Sequence, residues 1–123
     1  MIDSLSSSEW LFYAQSDLDS AALILQGSDN FHIVVYHSHQ AVEKILKRYL
    51  LIKKGQYPFN HDLLRLLEIA TQFRSTEEYI EDLSFLMLIY SGTRYPKGDR
   101  ISRQEAEKSL NVAKRILSEF SNE

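Results

Sequence analysis

The stretch FHIVVYHSHQAVEKILKRYLL, residues 31–51, has the longest helical pattern in the chain and contains three of its four histidines. At about 100° per residue, one side of this helix is almost entirely apolar. The predicted core face consists of Phe31, Val34, Val35, Ser38, Ala41, Val42, Ile45, Tyr49 and Ile52. The opposite stripe consists of His32, Tyr36, His39, Gln40, Glu43, Lys44 and Lys47. The pattern therefore predicts a helix that packs into its own domain on one side and presents a row of polar groups on the other.

Helix-start signals on both sides of this stretch divide the rest of the chain into further helices. Residues 6–9 (SSSE), 75–78 (STEE) and 102–105 (SRQE) each match a capping box, in which serine and glutamate satisfy free amides at a helix start. Asn60 is available to cap a short helix after the turn at Pro58. Apolar residues repeat at helical spacing after each signal, and no run alternates as a strand would. The sequence predicts an all-α fold, a five-helix antiparallel up-and-down bundle.

Length and composition set limits on the function. The 123 residues fit one domain, predicted to span residues 1–123, with a core that needs no disulfide or metal. The absence of cysteine fits a reducing cytoplasm. No apolar run reaches the roughly 20 residues of a membrane span, so we expect a soluble, cytoplasmic protein without membrane contact. The net charge of −3 argues against broad electrostatic binding to nucleic acid, so nucleotide binding requires a local basic patch.

The central motif resembles that of a known family. Residues 37–47, HSHQAVEKILK, are similar to the signature of the HEPN domain family, small prokaryotic helical proteins whose central helix reads roughly His-x-x-Gln-Ala-x-Glu-Lys-x-Leu-Lys. Two further pieces follow in the expected order, NHDL at residues 60–63 and RYP at residues 94–96. The resemblance spans residues 10–120 and implies a HEPN-like helical bundle.

The resemblance also implies two classes of function. HEPN domains include ribonucleases, typically toxins, and non-catalytic modules that bind nucleotides or partners and are often encoded beside a minimal nucleotidyltransferase. The ribonucleases carry an arginine followed within a few residues by a histidine, and two subunits together build their site. In this chain Arg94 is followed by no histidine, because His61 is the last one. We therefore expect that the protein is not an enzyme.

A basic loop after the fourth helix is the candidate nucleotide site. Its members are cations and one aromatic ring that can pair with phosphate and stack on a base, namely Arg94, Tyr95, Lys97, Arg100 and Arg103. The ligand would be a nucleotide such as ATP or GTP, or RNA, and no cofactor is expected. A solvated loop, with Arg94 paired to an acidic side chain, is the alternative interpretation.

The histidines have structural as well as functional interpretations. His39 and Glu43 are spaced i,i+4 and could hold a divalent ion, but no second pair supports a metal site, so none is predicted. A solvated polar face or a dimer contact is the favoured interpretation of this stripe. His37 is expected to be a hydrogen-bonded structural residue. His61 is expected to make a contact at a helix start.

The favoured hypothesis is a non-catalytic nucleotide- or partner-binding module that acts with a minimal nucleotidyltransferase. The alternatives are a divergent ribonuclease toxin of a toxin–antitoxin pair, and a scaffolding or antitoxin-like subunit without ligand. We also expect a homodimer or higher oligomer, because residues 85–90 are apolar nearly all round and so predict burial on two sides. Tyr36, His39 and Tyr90 are the candidate contacts.

Overall fold

The structure, a computed structural model, describes residues 5–94 and 100–122, and of Arg94 it describes the backbone only. Five α-helices account for most of these residues, and no strand occurs in the ranges described. Their bounds are α1 (Ser7–Gly27), α2 (Phe31–Lys54), α3 (Leu63–Ala70), α4 (Ile80–Arg94) and α5 (Arg103–Phe120). The prediction of a five-helix antiparallel bundle is confirmed. None of the helices in the described ranges is both long and apolar enough to cross a membrane.

Two helices begin at the capping boxes that the sequence predicts. The Ser6 hydroxyl accepts from the Glu9 amide at 3.2 Å, and the Ser6 amide donates to the Glu9 carboxylate at 3.0 Å. Ser102 and Glu105 repeat this exchange at the start of α5. The Ser6 backbone amide is the main reason why the pKa of Glu9 lies below its ordinary value. Both signals are local, so they act whatever packs against the helix.

The helix starts before α3 and α4 differ from the prediction. Asp62, not Asn60, caps α3, because its Oδ1 accepts from the amides of Leu64 and Arg65. The expected box at residues 75–78 does not form. The Thr76 hydroxyl pairs with that of Thr71 at 2.7 Å, and a single turn of 3-10 helix, Glu77–Tyr79, leads into α4.

Helix α2 forms the centre of the bundle, because it packs against α1, α3, α4 and α5. The predicted core face is buried from Val34 to Tyr49, while Phe31 at its start is half-buried and Ile52 at its end is exposed. Leu46 and Leu50, which lie outside that face, are buried as well. The helix ends at Gly55, whose φ of 80° lies in the left-handed region that favours glycine.

Helix α4 is less enclosed within the chain than its sequence predicts. Leu86 is buried, and the neighbouring apolar residues of this helix are half-buried. Leu88 points outward and is 72% exposed. Burial of α4 on a second side would therefore require a partner subunit, and it stays a prediction, because Leu88 is uncovered within the single chain.

Candidate functional site

A groove of about 660 Å³ runs between the first half of α2 and the second half of α4. His61, in the turn before α3, lines it as well. Its volume lies in the range typical of small-molecule sites. The groove is lined by His32, Ile33, Tyr36, His39, Gln40, Glu43, His61, Met87, Tyr90, Ser91 and Thr93. Five of the seven residues predicted for the polar stripe of the central helix thus line one groove. The other two are paired with carboxylates, Lys44 with Asp17 and Lys47 with Glu43.

Stacked rings form one wall of the groove. The His39 imidazole lies against the Tyr90 ring with centroids 3.7 Å apart and planes 14° from parallel. Tyr36 continues the stack, with its centroid 6.4 Å from that of Tyr90. His39 is only 2% exposed, whereas Tyr36 is 43% exposed. Tyr36 is therefore the member of the stack that can offer a ring face to a ligand.

A buried ion pair forms the floor of the groove. Glu43 is 6% exposed and Lys47 is 5% exposed. Glu43 Oε2 accepts from Lys47 Nζ at 2.9 Å and from His61 Nδ1 at 2.8 Å. The Lys47 ammonium also lies over the Tyr57 ring, 5.9 Å from its centroid. The other oxygen, Glu43 Oε1, has no hydrogen-bond partner among the residues that the structure describes.

These contacts correct two expectations about the central helix. The prediction that the polar row faces outward is wrong for three residues, His39, Glu43 and Lys47, because α4 and the turn before α3 cover them. His39 is therefore not available as a contact between subunits. His61 does not contact a helix start; instead it binds the Glu43 carboxylate. No group of three potential metal ligands is assembled anywhere in the described ranges.

His37 belongs to a separate cluster between α1 and α2. Its Nδ1 lies 2.9 Å from Asp17 Oδ1, and Lys44 donates to the other oxygen of Asp17. All three side chains are partly buried. Asp17 is the partner that the sequence did not identify for His37, and the arrangement fastens α1 to α2. His37 does not line the groove.

The basic loop is described only in part. Tyr95, Lys97 and the side chain of Arg94 lie outside the described residues. The backbone of Arg94 ends α4 one helical turn beyond Tyr90, so it follows directly from the groove. Arg100 is exposed. The guanidinium of Arg103 lies over the Phe31 ring, 5.0 Å from its centroid, so this cation faces the junction of α1 and α2.

The fold and the central helix define a class of protein. The model of the HEPN domain family matches residues 7–123, so the chain belongs to that family. The crystal structure of TT1696 from Thermus thermophilus superimposes with a TM-score of 0.82 at 28% identity, covering 94% of this chain and 95% of that chain. An archaeal HEPN homologue, ST0689, superimposes with a TM-score of 0.77 at 22% identity, covering 95% and 96%. No curated protein matches the chain.

The family assignment confirms the resemblance that residues 37–47 indicate. Four residues of these sites are not among those predicted from the sequence: Asp17, which pairs with His37, and Met87, Ser91 and Thr93, which line the groove. These residues come from helices that lie far from the motif along the chain. No local pattern marks them, because their roles depend on how α1 and α4 pack against α2.

Proposed function

We propose that this HEPN domain is a non-catalytic module that binds a nucleotide, or a nucleotide-handling partner such as a minimal nucleotidyltransferase, through the α2–α4 groove. The observation that supports this proposal is the exposed Tyr36 ring on a stack of aromatic side chains, above a buried carboxylate. Aromatic side chains stack on nucleobases of any type, with about 1–3 kcal/mol per base. A cytoplasmic location belongs to the same proposal and is based on the cysteine-free composition.

The phosphates of the ligand would extend past the end of α4. Thr93 lines the groove, and the cations proposed to bind phosphate, Arg94, Lys97 and Arg100, follow it in the chain. Tyr95, in the same loop, is proposed to stack on a base. Arginine and lysine contacts to phosphate weaken as salt increases, because the charges are screened and counterions are released. The proposal therefore combines a stacking contribution from α2 with a salt-dependent contribution from the loop.

Replacing Tyr36 by alanine should weaken ATP, GTP or short RNA binding about tenfold, because one stacking contact is worth about 1–3 kcal/mol. Tyr13→Ala is the matched control, since Tyr13 is 46% exposed on α1 and does not line the groove. Arg94→Ala and Lys97→Ala should weaken binding and reduce its dependence on salt. Calorimetry at two salt concentrations measures all of these effects. Equal affinities in wild type, Tyr36→Ala and Tyr13→Ala would refute the groove as the site, and no binding at all would favour a scaffolding or antitoxin-like subunit.

A ribonuclease is the second candidate, and the position of two histidines favours it. His39 stacks on Tyr90, one helical turn before Arg94, and His32 lines the same groove. Cleavage by a ribose 2′-hydroxyl requires a group that titrates near neutrality, and histidine meets that requirement. Tyrosine, lysine and aspartate, the other titratable types beside Arg94, titrate far from neutrality when unperturbed.

We expect the purified protein not to cleave RNA, because His39 is buried and its ring face is covered by Tyr90. The assay incubates metal-free protein with structured and single-stranded RNA. His32→Ala, His37→Ala, His39→Ala and Arg94→Ala variants are tested beside it. Cleavage by wild type that disappears in the His32, His39 or Arg94 variant, but persists in His37→Ala, would show that the protein is a ribonuclease and not a non-catalytic module. A toxin–antitoxin role would then be favoured. A small antitoxin gene beside this one would also support that role.

Self-association is the other part of the proposal, and the uncovered side of α4 supports it. We expect a dimer at tens of micromolar, an order of magnitude suited to an interface of standard size. Leu88→Lys should yield a monomer in sedimentation experiments, because a charge would be buried in the interface. Leu23→Lys is the matched control, since Leu23 is 68% exposed on α1. Wild type that sediments as a monomer at this concentration would remove the dimer from the proposal.

A further inference from the structure

Glu43 retains an unused hydrogen-bond acceptor at the floor of the groove. Its Oε2 already accepts from Lys47 and His61, whereas Oε1 accepts from no residue that the structure describes. The residue is only 6% exposed, and it lines the groove. Buried carboxylate oxygens normally have donors, because a buried polar atom without a partner is costly. A ligand in this groove that carries an N–H donor would supply the missing partner.

Gln40 adds a second polar group to the same part of the groove. It lies three residues before Glu43, so both side chains occupy one face of α2. It is half-buried and lines the groove. Its amide can donate to a ring nitrogen, while Glu43 can only accept. Gln40 and Glu43 thus place a donor beside an acceptor. A ligand edge with an acceptor facing Gln40 and a donor facing Glu43 would pair with both.

We propose that the groove recognises the amino edge shared by adenine and cytosine. The exocyclic amine of either base would donate to Glu43 Oε1, and the adjacent ring nitrogen would accept from the Gln40 amide. Carboxylates accept from cytosine N4 and glutamine pairs with adenine in nucleic-acid recognition. Guanine, hypoxanthine and uracil present a carbonyl oxygen beside an N–H at the same positions, which would place an acceptor against the carboxylate. This inference rests on the proposed nucleotide function and adds a base preference to it.

The test compares pairs of ligands that differ at this edge but carry the same phosphates. Calorimetry with wild type should show tighter binding of ATP than of ITP, and of CTP than of UTP, by about tenfold or more, as expected for a hydrogen bond to a charged group. The ratio within each pair is informative because contributions of the shared triphosphate and ribose cancel.

Glu43→Gln should abolish or reverse this preference. In this variant Lys47 and His61 would donate to the amide oxygen as they do to Oε2. The amide NH₂ would then take the place of Oε1, so the groove would present a donor where wild type presents an acceptor. Glu107→Gln makes the same chemical change at an exposed position of α5, which does not line the groove, and should leave the ratios unchanged. Gln40→Leu should reduce the ratios without altering the Glu43 ion pair. Thermal unfolding identifies any variant that does not fold, in which case the wild-type ratios and Gln40→Leu decide the question.

The outcomes separate this inference from the function on which it rests. Tighter binding of ATP and CTP in wild type, lost in Glu43→Gln and retained in Glu107→Gln, supports the amino-edge preference. Equal affinity for all four triphosphates, with binding still weakened by Tyr36→Ala, overturns the preference but leaves the nucleotide-binding groove in place. No binding of any triphosphate overturns both.

Discussion

Replacing Lys47 by methionine should lower the free energy of unfolding by about 3–5 kcal/mol, the effect of removing one partner from a buried ion pair. Methionine keeps most of the apolar stem, so the change removes mainly the charge. Without the Lys47 ammonium 2.9 Å from Oε2, Glu43 would remain in a site where it is only 6% exposed. His61 cannot replace Lys47 fully, because its side chain is mostly exposed and its interaction is screened by water. Chemical denaturation at neutral pH measures the loss.

Two further variants separate the lost charge from other causes of instability. Lys114→Met is the matched control, since Lys114 is exposed on α5, and its effect should stay within about 0.5 kcal/mol. The double variant Glu43→Gln/Lys47→Met removes both charges and should recover much of the loss. A double variant that is no more stable than Lys47→Met would contradict the explanation by an uncompensated carboxylate.

The burial of this ion pair explains which part of the site could not be predicted from the sequence. Helical periodicity places His39, Glu43 and Lys47 on the side of α2 opposite the core face, and a polar stripe normally faces water. Here a second layer, formed by α4 and the turn before α3, covers that stripe. Periodicity within one helix gives the relative direction of side chains, but it does not show how many neighbouring elements surround the helix.

The parts of the fold that could be predicted depend on short-range chemistry. The starts of α1 and α5 follow from serine and glutamate three residues apart, and the end of α2 follows from Gly55. The box at residues 75–78 does not form, because the Glu78 carboxylate accepts from Arg115 of α5 instead of reaching back to Ser75. A local signal is thus reliable where no tertiary contact opposes it.

Contacts between distant segments explain the remaining differences. Asp17 reaches His37 from another helix, and no spacing within either helix indicates this pair. Arg103 is part of a basic cluster in the sequence. Its guanidinium nevertheless lies over the ring of Phe31, which is far from it along the chain. The family motif identified the central helix correctly, but it did not indicate that the groove would combine that helix with Met87, Tyr90 and Ser91.

Tyr79→Ala should also lower the free energy of unfolding by about 3–5 kcal/mol, the range for truncating a large buried aromatic side chain. Tyr79 is 1% exposed and packs edge-on against Phe120 in the core. Its hydroxyl accepts from Arg74 at 2.7 Å and donates to Glu119 at 3.1 Å, so it joins the start of α4 to the end of α5. Tyr13→Ala, at a half-exposed position of α1, should cost far less in the same denaturation experiment. Similar losses in the two variants would contradict the assignment of Tyr79 to the core.

The Tyr79 hydroxyl should also make stability depend on alkaline pH. Burial raises the pKa of Tyr79 above its ordinary value, and the hydrogen bond that it donates to Glu119 raises it further. The folded state therefore favours the neutral phenol. The resulting stabilisation is fully present below the unfolded pKa of about 10 and is lost as pH rises through the folded pKa. Tyr79→Phe has no such group, so the stability advantage of wild type over this variant should decrease as pH rises above about 10. Denaturation of both proteins from neutral pH to about pH 11 measures that difference, and a difference that stays constant would show that Tyr79 does not titrate differently in the two states.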